Sequence, residues 1–140
     1  MKVCGIEIKG SEAIVCLLSL EDEIFHLPEC RAGKLMYPKN GTASDLKAFQ
    51  FSFAKLMQDY KIENVVIKER PTKGKFAGGA VGFKLEATIQ LIDELNVVLM
   101  STSAIKESLK RNPVHIPFAE TGLKVFQEGA FSTAFAYLMK

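Results

Sequence analysis

The chain has 140 residues, of which 48% are hydrophobic and 24% are charged, and its formal net charge is +2. This length predicts one domain, residues 1–140, with a core of ordinary size. The small net charge does not by itself indicate a protein of nucleic acid or membrane surfaces. No stretch approaches the ~18 uninterrupted apolar residues of a membrane helix, so we expect no membrane partner.

The three cysteines, Cys4, Cys16 and Cys30, form no CxxC pair and no short spacing with His26 or His115. This pattern excludes the usual zinc motifs and a disulfide framework. The start of the chain, MKVCGIEIKG, has no long apolar segment of the kind found in secretion signals. We therefore expect reduced thiols and a cytoplasmic protein.

The first 28 residues predict a three-stranded antiparallel meander. Residues 2–9 and 12–20 flank a turn at Gly10, and a third strand over 23–28 ends at Pro28. Glu7 is the one full charge in the apolar centre of the first strand. A carboxylate in a buried strand is costly unless a partner compensates it. Residues 29–43 have the composition of a loop.

The rest of the chain alternates helices and strands. An amphipathic helix is predicted over about 44–60, with Ser44 as its N-cap. The strands predicted at 63–69 and 96–102 have continuous apolar centres, typical of strands covered on both faces. Right-handed crossovers make both strands parallel to the first. The prediction is an α/β fold with a mixed five-stranded sheet, a central first strand, and helices on both faces at about 44–60, 83–94, 103–111 and 122–139.

Two acids are distinguished by their positions in the predicted sheet. Glu7 interrupts the first strand, and Glu69 ends the fourth, directly before Arg70. If these strands are neighbours, both carboxylates meet at one edge of the sheet, where ligands of such sheets usually bind. Carboxylates without nearby histidine or cysteine suit Mg²⁺ or Mn²⁺. A metal pair there would activate water for phosphodiester cleavage.

A basic, glycine-rich loop, RPTKGKFAGGAVG, follows the fourth strand at 70–82. Its spacing does not match the GxxxxGK[ST] phosphate loop. A flexible loop with several cations and an aromatic ring suits binding of a phosphate backbone and stacking on a base. The candidate nucleic-acid-binding residues are Lys68, Arg70, Lys73, Lys75 and Phe76.

The order of elements resembles the ribonuclease H-like superfamily, and within it the RuvC type of Holliday-junction resolvase. The resemblance is carried by VCGIEIKG, NVVIKERPTKGKFAGG and NVVLMSTSAIKESLKR. Together with the last helix it covers nearly the whole chain. The chain is also similar to an uncharacterised bacterial domain-of-unknown-function family of this fold.

This resemblance implies a magnesium-dependent nuclease that acts on DNA or RNA, and it allows a homodimer. In such enzymes, carboxylates of the first strand, the fourth strand and the last helix bind two magnesium ions. Carried over to this chain, the first acid is Glu7, the second is Glu69, and the third is Glu128 in VFQEGAFSTAFAYL. The family usually has aspartate in the first strand and two aspartates one turn apart in the last helix. Here the residue one turn before Glu128 is Val125.

Each of these features also has a structural interpretation. Glu7 is either a metal or substrate ligand or a structural acid paired with a loop cation, and Glu69 and Glu128 are either ligands or solvated charges. Glu86 and Glu120 are further acids considered for the same cleft. Three functions remain open: a metal-dependent nuclease, a non-catalytic nucleic-acid-binding domain with a degenerate acidic site, and a protein-interaction domain.

Overall fold

A computed structural model describes residues 1–37, 41–74 and 78–140 of the chain. It begins with the predicted antiparallel meander: β1 (Lys2–Lys9), β2 (Glu12–Glu21) and β3 (Ile24–His26). Gly10, in the turn between β1 and β2, has a φ of +57°, a left-handed conformation that glycine adopts without steric cost. The meander therefore follows from the apolar strands and from the turn between them.

The segment predicted as a loop, 29–43, contains a further strand, β4 (Lys34–Met36), which pairs with the first residues of β2. The loop prediction is wrong here because three residues carry too little periodicity to mark a strand. The helix that follows, α1 (Ala43–Asp59), is capped by Thr42 rather than by Ser44. Thr42 and Asp45 form a reciprocal capping box, in which each side chain accepts from the backbone N–H of the other.

Two later strands, β5 (Asn64–Lys68) and β6 (Asn96–Met100), run parallel to β1. The sheet has the order β3-β2-β1-β5-β6, with β4 also paired to β2, so it is a mixed sheet of six strands rather than five. The central position of β1 is confirmed. Because β1, β5 and β6 are parallel, their carboxyl ends meet at one edge of the sheet.

In the part of the chain that the structure describes, four α-helices cover the two faces of this sheet. After α1 come α2 (Ala80–Gln90), α3 (Thr102–Arg111) and α4 (Glu128–Leu138). The segment before α4 forms two short 3-10 helices, Phe118–Thr121 and Val125–Gln127, so the last helix begins later than the pattern predicts. No helix in the described residues is both long and apolar enough to cross a membrane.

The apolar core lies on both sides of the sheet. On one face, helices α1 and α2 pack on alternate residues of β1, β2 and β5, and the largest buried side chains there are Ile6, Phe53, Leu56, Met57, Ile67, Leu85 and Ile89. On the other face, α3 and α4 pack on the remaining alternate residues of the strands, including Val3, Ile14, Leu18 and Val66. Cys4 and Cys16 lie on opposite faces and are free thiols. Burial, followed by the nearby Cys30 thiol, raises the pKa of Cys16 to about 12.

Helix α4 approaches the central strand closely at Gly5. A β-carbon at this position would lie 2.8 Å from Cβ of Ala134 and 2.9 Å from its backbone nitrogen, and it would overlap the carbonyl oxygen of Ala130. The contacting positions of α4 are alanines with no exposed surface. Gly5 is therefore the residue that lets α4 lie directly against β1.

We predict that Gly5→Ala destabilises the protein by about 1–3 kcal/mol, the usual cost of an overpacked core. Urea denaturation measures this change. Gly33→Ala is the control, because among the described residues the atoms nearest to the added β-carbon, in Gln127 and Phe126, lie at 3.4 Å, an ordinary van der Waals distance. Equal stability of Gly5→Ala and the parent chain would contradict the close packing of α4 on β1.

Candidate functional site

The carboxylate of Glu7 lies near the carboxyl end of β1, on the face covered by α4. Its side chain is only 12% exposed. Lys68 Nζ donates to Glu7 Oε2 at 3.3 Å, and Lys9 Nζ lies 3.7 Å from Glu7 Oε1. Both oxygens of this acid therefore have an ammonium group of the chain itself as a partner. This arrangement compensates the cost of burying a carboxylate in the central strand.

The position beside Glu7 on the neighbouring strand is occupied by Lys68. Ile6 pairs with Ile67 in the parallel ladder, so the next residue of each strand, Glu7 and Lys68, also stand side by side. Side chains alternate between faces along a strand, so Lys68 rather than Glu69 shares the face of Glu7. The sequence thus places a cation where the predicted site requires its second acid.

Glu69 belongs to a different environment, beside helix α2. It follows the end of β5, its backbone N–H donates to the Met100 carbonyl at 2.9 Å, and its side chain is exposed. Burial raises the pKa of the Glu86 carboxyl, the charge of Arg70 opposes this shift, and the charge of Glu69 adds to it. Glu86 is 8% exposed, and its Oε1 has no hydrogen-bond partner in the described residues. The negative charge of Glu69 therefore acts on the carboxyl group of Glu86 in α2.

Arg70, predicted to bind nucleic acid, packs inside the base of its own loop. Its guanidinium lies 4.6 Å from the ring centroid of Phe83, and β-carbons added at Gly78 or Gly82 would overlap it. Its Nε and Nη2 atoms are buried and have no partner in the described residues. The N–H of Gly78 also donates to the carbonyl of Pro71 at 2.8 Å, which closes the loop. Arg70 is placed to hold the loop against α2.

Glu128 is the first residue of α4 and is exposed. The residue that lies directly against the Glu7 carboxylate is its neighbour, Gly129. A β-carbon at Gly129 would lie 2.7 Å from Glu7 Oε2 and 2.5 Å from its Cδ. The helix thus reaches the strand acid through a residue without a side chain. The amino end of α4 also brings a positive backbone field to this carboxylate.

These residues do not fit the two-metal site that the resemblance implies. In residues 1–37, 41–74 and 78–140, no three acidic, histidine or cysteine side chains form a group able to hold a metal ion. Around Glu7, the facing strand offers Lys68 and the facing helix offers Gly129. Divalent hard cations require several oxygen ligands, and these two positions provide none from a side chain.

The sequence interpretation missed two cations, Lys34 and Lys124, that the fold brings beside the first half of β2. Lys34 begins β4, lies 3.4 Å from Glu12, and stands 5.0 Å from the ring centroid of Phe126. The backbone N–H of Lys124 donates to Gln127, whose amide in turn donates to the carbonyl of Val15. The position of Lys34 depends on the antiparallel pairing of β4 with β2. This pairing cannot be predicted from the three residues of β4.

We call the resulting surface the basic edge, and its members are Lys9, Lys34, Lys68, Lys73 and Lys124. Lys73 lies exposed in the loop after β5. Neither Lys73 nor Lys124 has a carboxylate within 4.0 Å among the described residues. A groove of about 640 Å³ runs beside Lys124 and Phe126. Lys75 and Phe76, which were predicted to bind nucleic acid, lie outside the described residues.

Solved structures share this architecture at low sequence identity. RuvC of Thermus thermophilus is 12% identical, with a TM-score of 0.75 and coverage of 99% of this chain and 94% of its own. The same protein in complex with a Holliday junction substrate gives a TM-score of 0.71, 12% identity, and coverages of 99% and 93%. Fowlpox virus resolvase in complex with substrate Holliday junction DNA gives a TM-score of 0.58, 12% identity, and coverages of 99% and 97%. The chain therefore has a RuvC-like fold.

Curated proteins provide no match to this chain. A family model does, and it covers residues 1–137. The sequence resemblance to a family of unknown function with this fold agrees with that match. The chain belongs to the DUF3010 family, whose description is "Protein of unknown function".

Proposed function

We propose that the protein binds junction-like nucleic acid through the basic edge and holds it without cutting it. The proposal rests mainly on the position of Lys68, whose ammonium group lies beside Glu7 at the carboxyl end of the central strands. Backbone phosphates are recognised chiefly by lysine and arginine, and this recognition does not require a metal. The fold supports DNA as the ligand, because two of the similar structures contain Holliday junction DNA.

The chemistry of the basic edge suits a phosphate backbone. Lys73 and Lys124 are exposed cations without a carboxylate partner in the part of the chain that the structure describes. Phe126 is 36% exposed and lies beside Lys34, which provides a ring next to a cation. Binding of single-stranded nucleic acid commonly combines these two groups, a cation and an aromatic ring.

We predict that Lys73→Gln weakens binding of a four-way DNA junction by about three- to tenfold at low salt. The slope of log K against log salt should fall by about 0.9, the value for one lost phosphate contact. Fluorescence anisotropy over a salt series measures both quantities, with linear duplex and single-stranded DNA as comparisons.

The matched control is Lys61→Gln, which removes the same charge from the other end of β5. Lys61 is exposed and precedes the strand, whose five residues span about 15 Å. Its loss should leave both the affinity and the salt slope unchanged. Equal weakening by the two substitutions would show that binding follows net charge rather than the basic edge, and absence of binding would refute the proposal.

Metal-dependent cleavage is the second candidate function, and the specific observation that favours it is the buried acid at the end of the central strand in a resolvase-like fold. The Glu7 carboxylate would be the residue that holds the metal. The two functions separate in a simple assay because binding needs the basic edge, whereas cleavage needs Glu7.

We predict that the protein with Mn²⁺ or Mg²⁺ leaves labelled four-way junctions uncut, and that Glu7→Gln behaves in the same way. Denaturing gels over time measure this reaction. Cleavage by the parent chain that Glu7→Gln abolishes would establish the nuclease and overturn the proposal of binding alone. Cleavage that survives Glu7→Gln would point to a contaminating nuclease, and thermal denaturation checks that the variant is folded.

A further inference from the structure

Lys68 is held in an unusual position for a lysine. It stands at the end of an interior strand of the sheet, and its side chain is only 30% exposed. Its ammonium has three N–H donors, and Glu7 Oε2, at 3.3 Å, accepts one of them. Because the side chain keeps partial exposure, the other donors remain available toward solvent. Lys68 can therefore neutralise Glu7 and, at the same time, bind an anion that approaches from solvent.

The surroundings of the carboxylate are complete without a metal. Lys68 and Lys9 each lie near one oxygen, and Gly129 brings the backbone of α4 against the same group. A side chain at position 129 would collide with the Glu7 carboxylate, so α4 cannot supply a ligand from that position. A metal site here would need ligands from β1, β5 and α4. These three elements instead pack against the single carboxylate of Glu7.

We infer that Lys68 Nζ is a built-in cation that takes the place of a metal ion at the end of the central strand. It compensates the charge of Glu7, and it offers its remaining donors to a backbone phosphate. The first part stands on the geometry alone, whereas the phosphate contact rests on the proposed function. The protein should therefore bind nucleic acid equally well with and without divalent ions.

The first experiment is a Mn²⁺ titration of ¹⁵N-labelled protein without nucleic acid, followed by paramagnetic broadening of backbone amide signals. In the parent chain, the amides of Glu7 and Gly129 should broaden no earlier than those of exposed acids elsewhere. In Lys68→Glu, which places a second carboxylate beside that of Glu7, the two amides should broaden selectively, at a Mn²⁺ concentration at least about tenfold lower. Lys61→Glu is the matched control, because it makes the same change of charge at the other end of β5, and it should behave as the parent does.

Selective broadening in the parent chain would show that Mn²⁺ reaches Glu7 despite Lys68, and it would overturn the inference. The same conclusion follows if Lys68→Glu folds, by its amide spectrum, but gains no selective broadening. In that case Lys68 does not occupy a cation position.

The second experiment measures junction affinity by anisotropy in EDTA and in Mg²⁺ at equal ionic strength. The parent chain should bind with the same affinity in both, and Lys68→Met should bind several-fold more weakly in EDTA, whereas Lys61→Gln should not. A requirement of the parent chain for Mg²⁺ would overturn the inference. Absence of junction binding in both buffers would refute the proposed function, while the Mn²⁺ titration would still decide the role of Lys68.

Discussion

The close packing of α4 on β1 is the constraint on which the rest of the site depends. Gly5 removes a side chain from the strand where Ala130 and Ala134 approach it, and Gly129 removes one from the helix where it meets the Glu7 carboxylate. A carboxylate enclosed in this way has to be neutralised locally. The neighbouring strand supplies that charge through Lys68. The packing of α4 on β1 buries the Glu7 carboxylate, and this burial in turn requires the cation at position 68.

The consequence is an edge whose chemistry differs from a cluster of acids. An acid cluster attracts divalent ions, and only through them does it attract phosphate. An acid whose two oxygens are paired with lysines leaves the other donors of those lysines available to phosphate directly. The fold places Glu7 on the central strand, and the residues that face this acid, Lys68 and Gly129, are the reason that we propose binding. Fold and chemistry are separate properties, and the second has to be argued from the side chains.

Much of the fold was predictable because its signals are local. Apolar runs on either side of the turn at Gly10 marked β1 and β2, and continuous apolar centres marked β5 and β6, so the central position of β1 followed from chain order. The strand β4 was not predictable, because its three residues become a strand only by pairing with β2. The N-cap was misassigned although the spacing of Thr42 and Asp45 carries the capping-box pattern.

The candidate site was harder to predict, because it depends on register. Glu7 was identified correctly as a charge in need of a partner, and pairing with a cation was one of the two interpretations that the sequence left open. The second acid was assigned to Glu69, but a shift of one residue moves a side chain to the other face, and the neighbour of Glu7 is Lys68. The positions of Lys34 and Lys124 depend on contacts between segments distant in sequence, which composition does not reveal.

The most direct test of the account is a map of the surface that DNA contacts, obtained from backbone amide shifts during titration with a four-way junction in EDTA. The account predicts that the perturbed amides cluster at the carboxyl edge of the central strands, around Lys9, Lys68, Lys73 and Lys124, and that those near Lys61 and Asn64 stay unchanged. Perturbation centred on that opposite edge, or perturbation that appears only when a divalent ion is added, would contradict it.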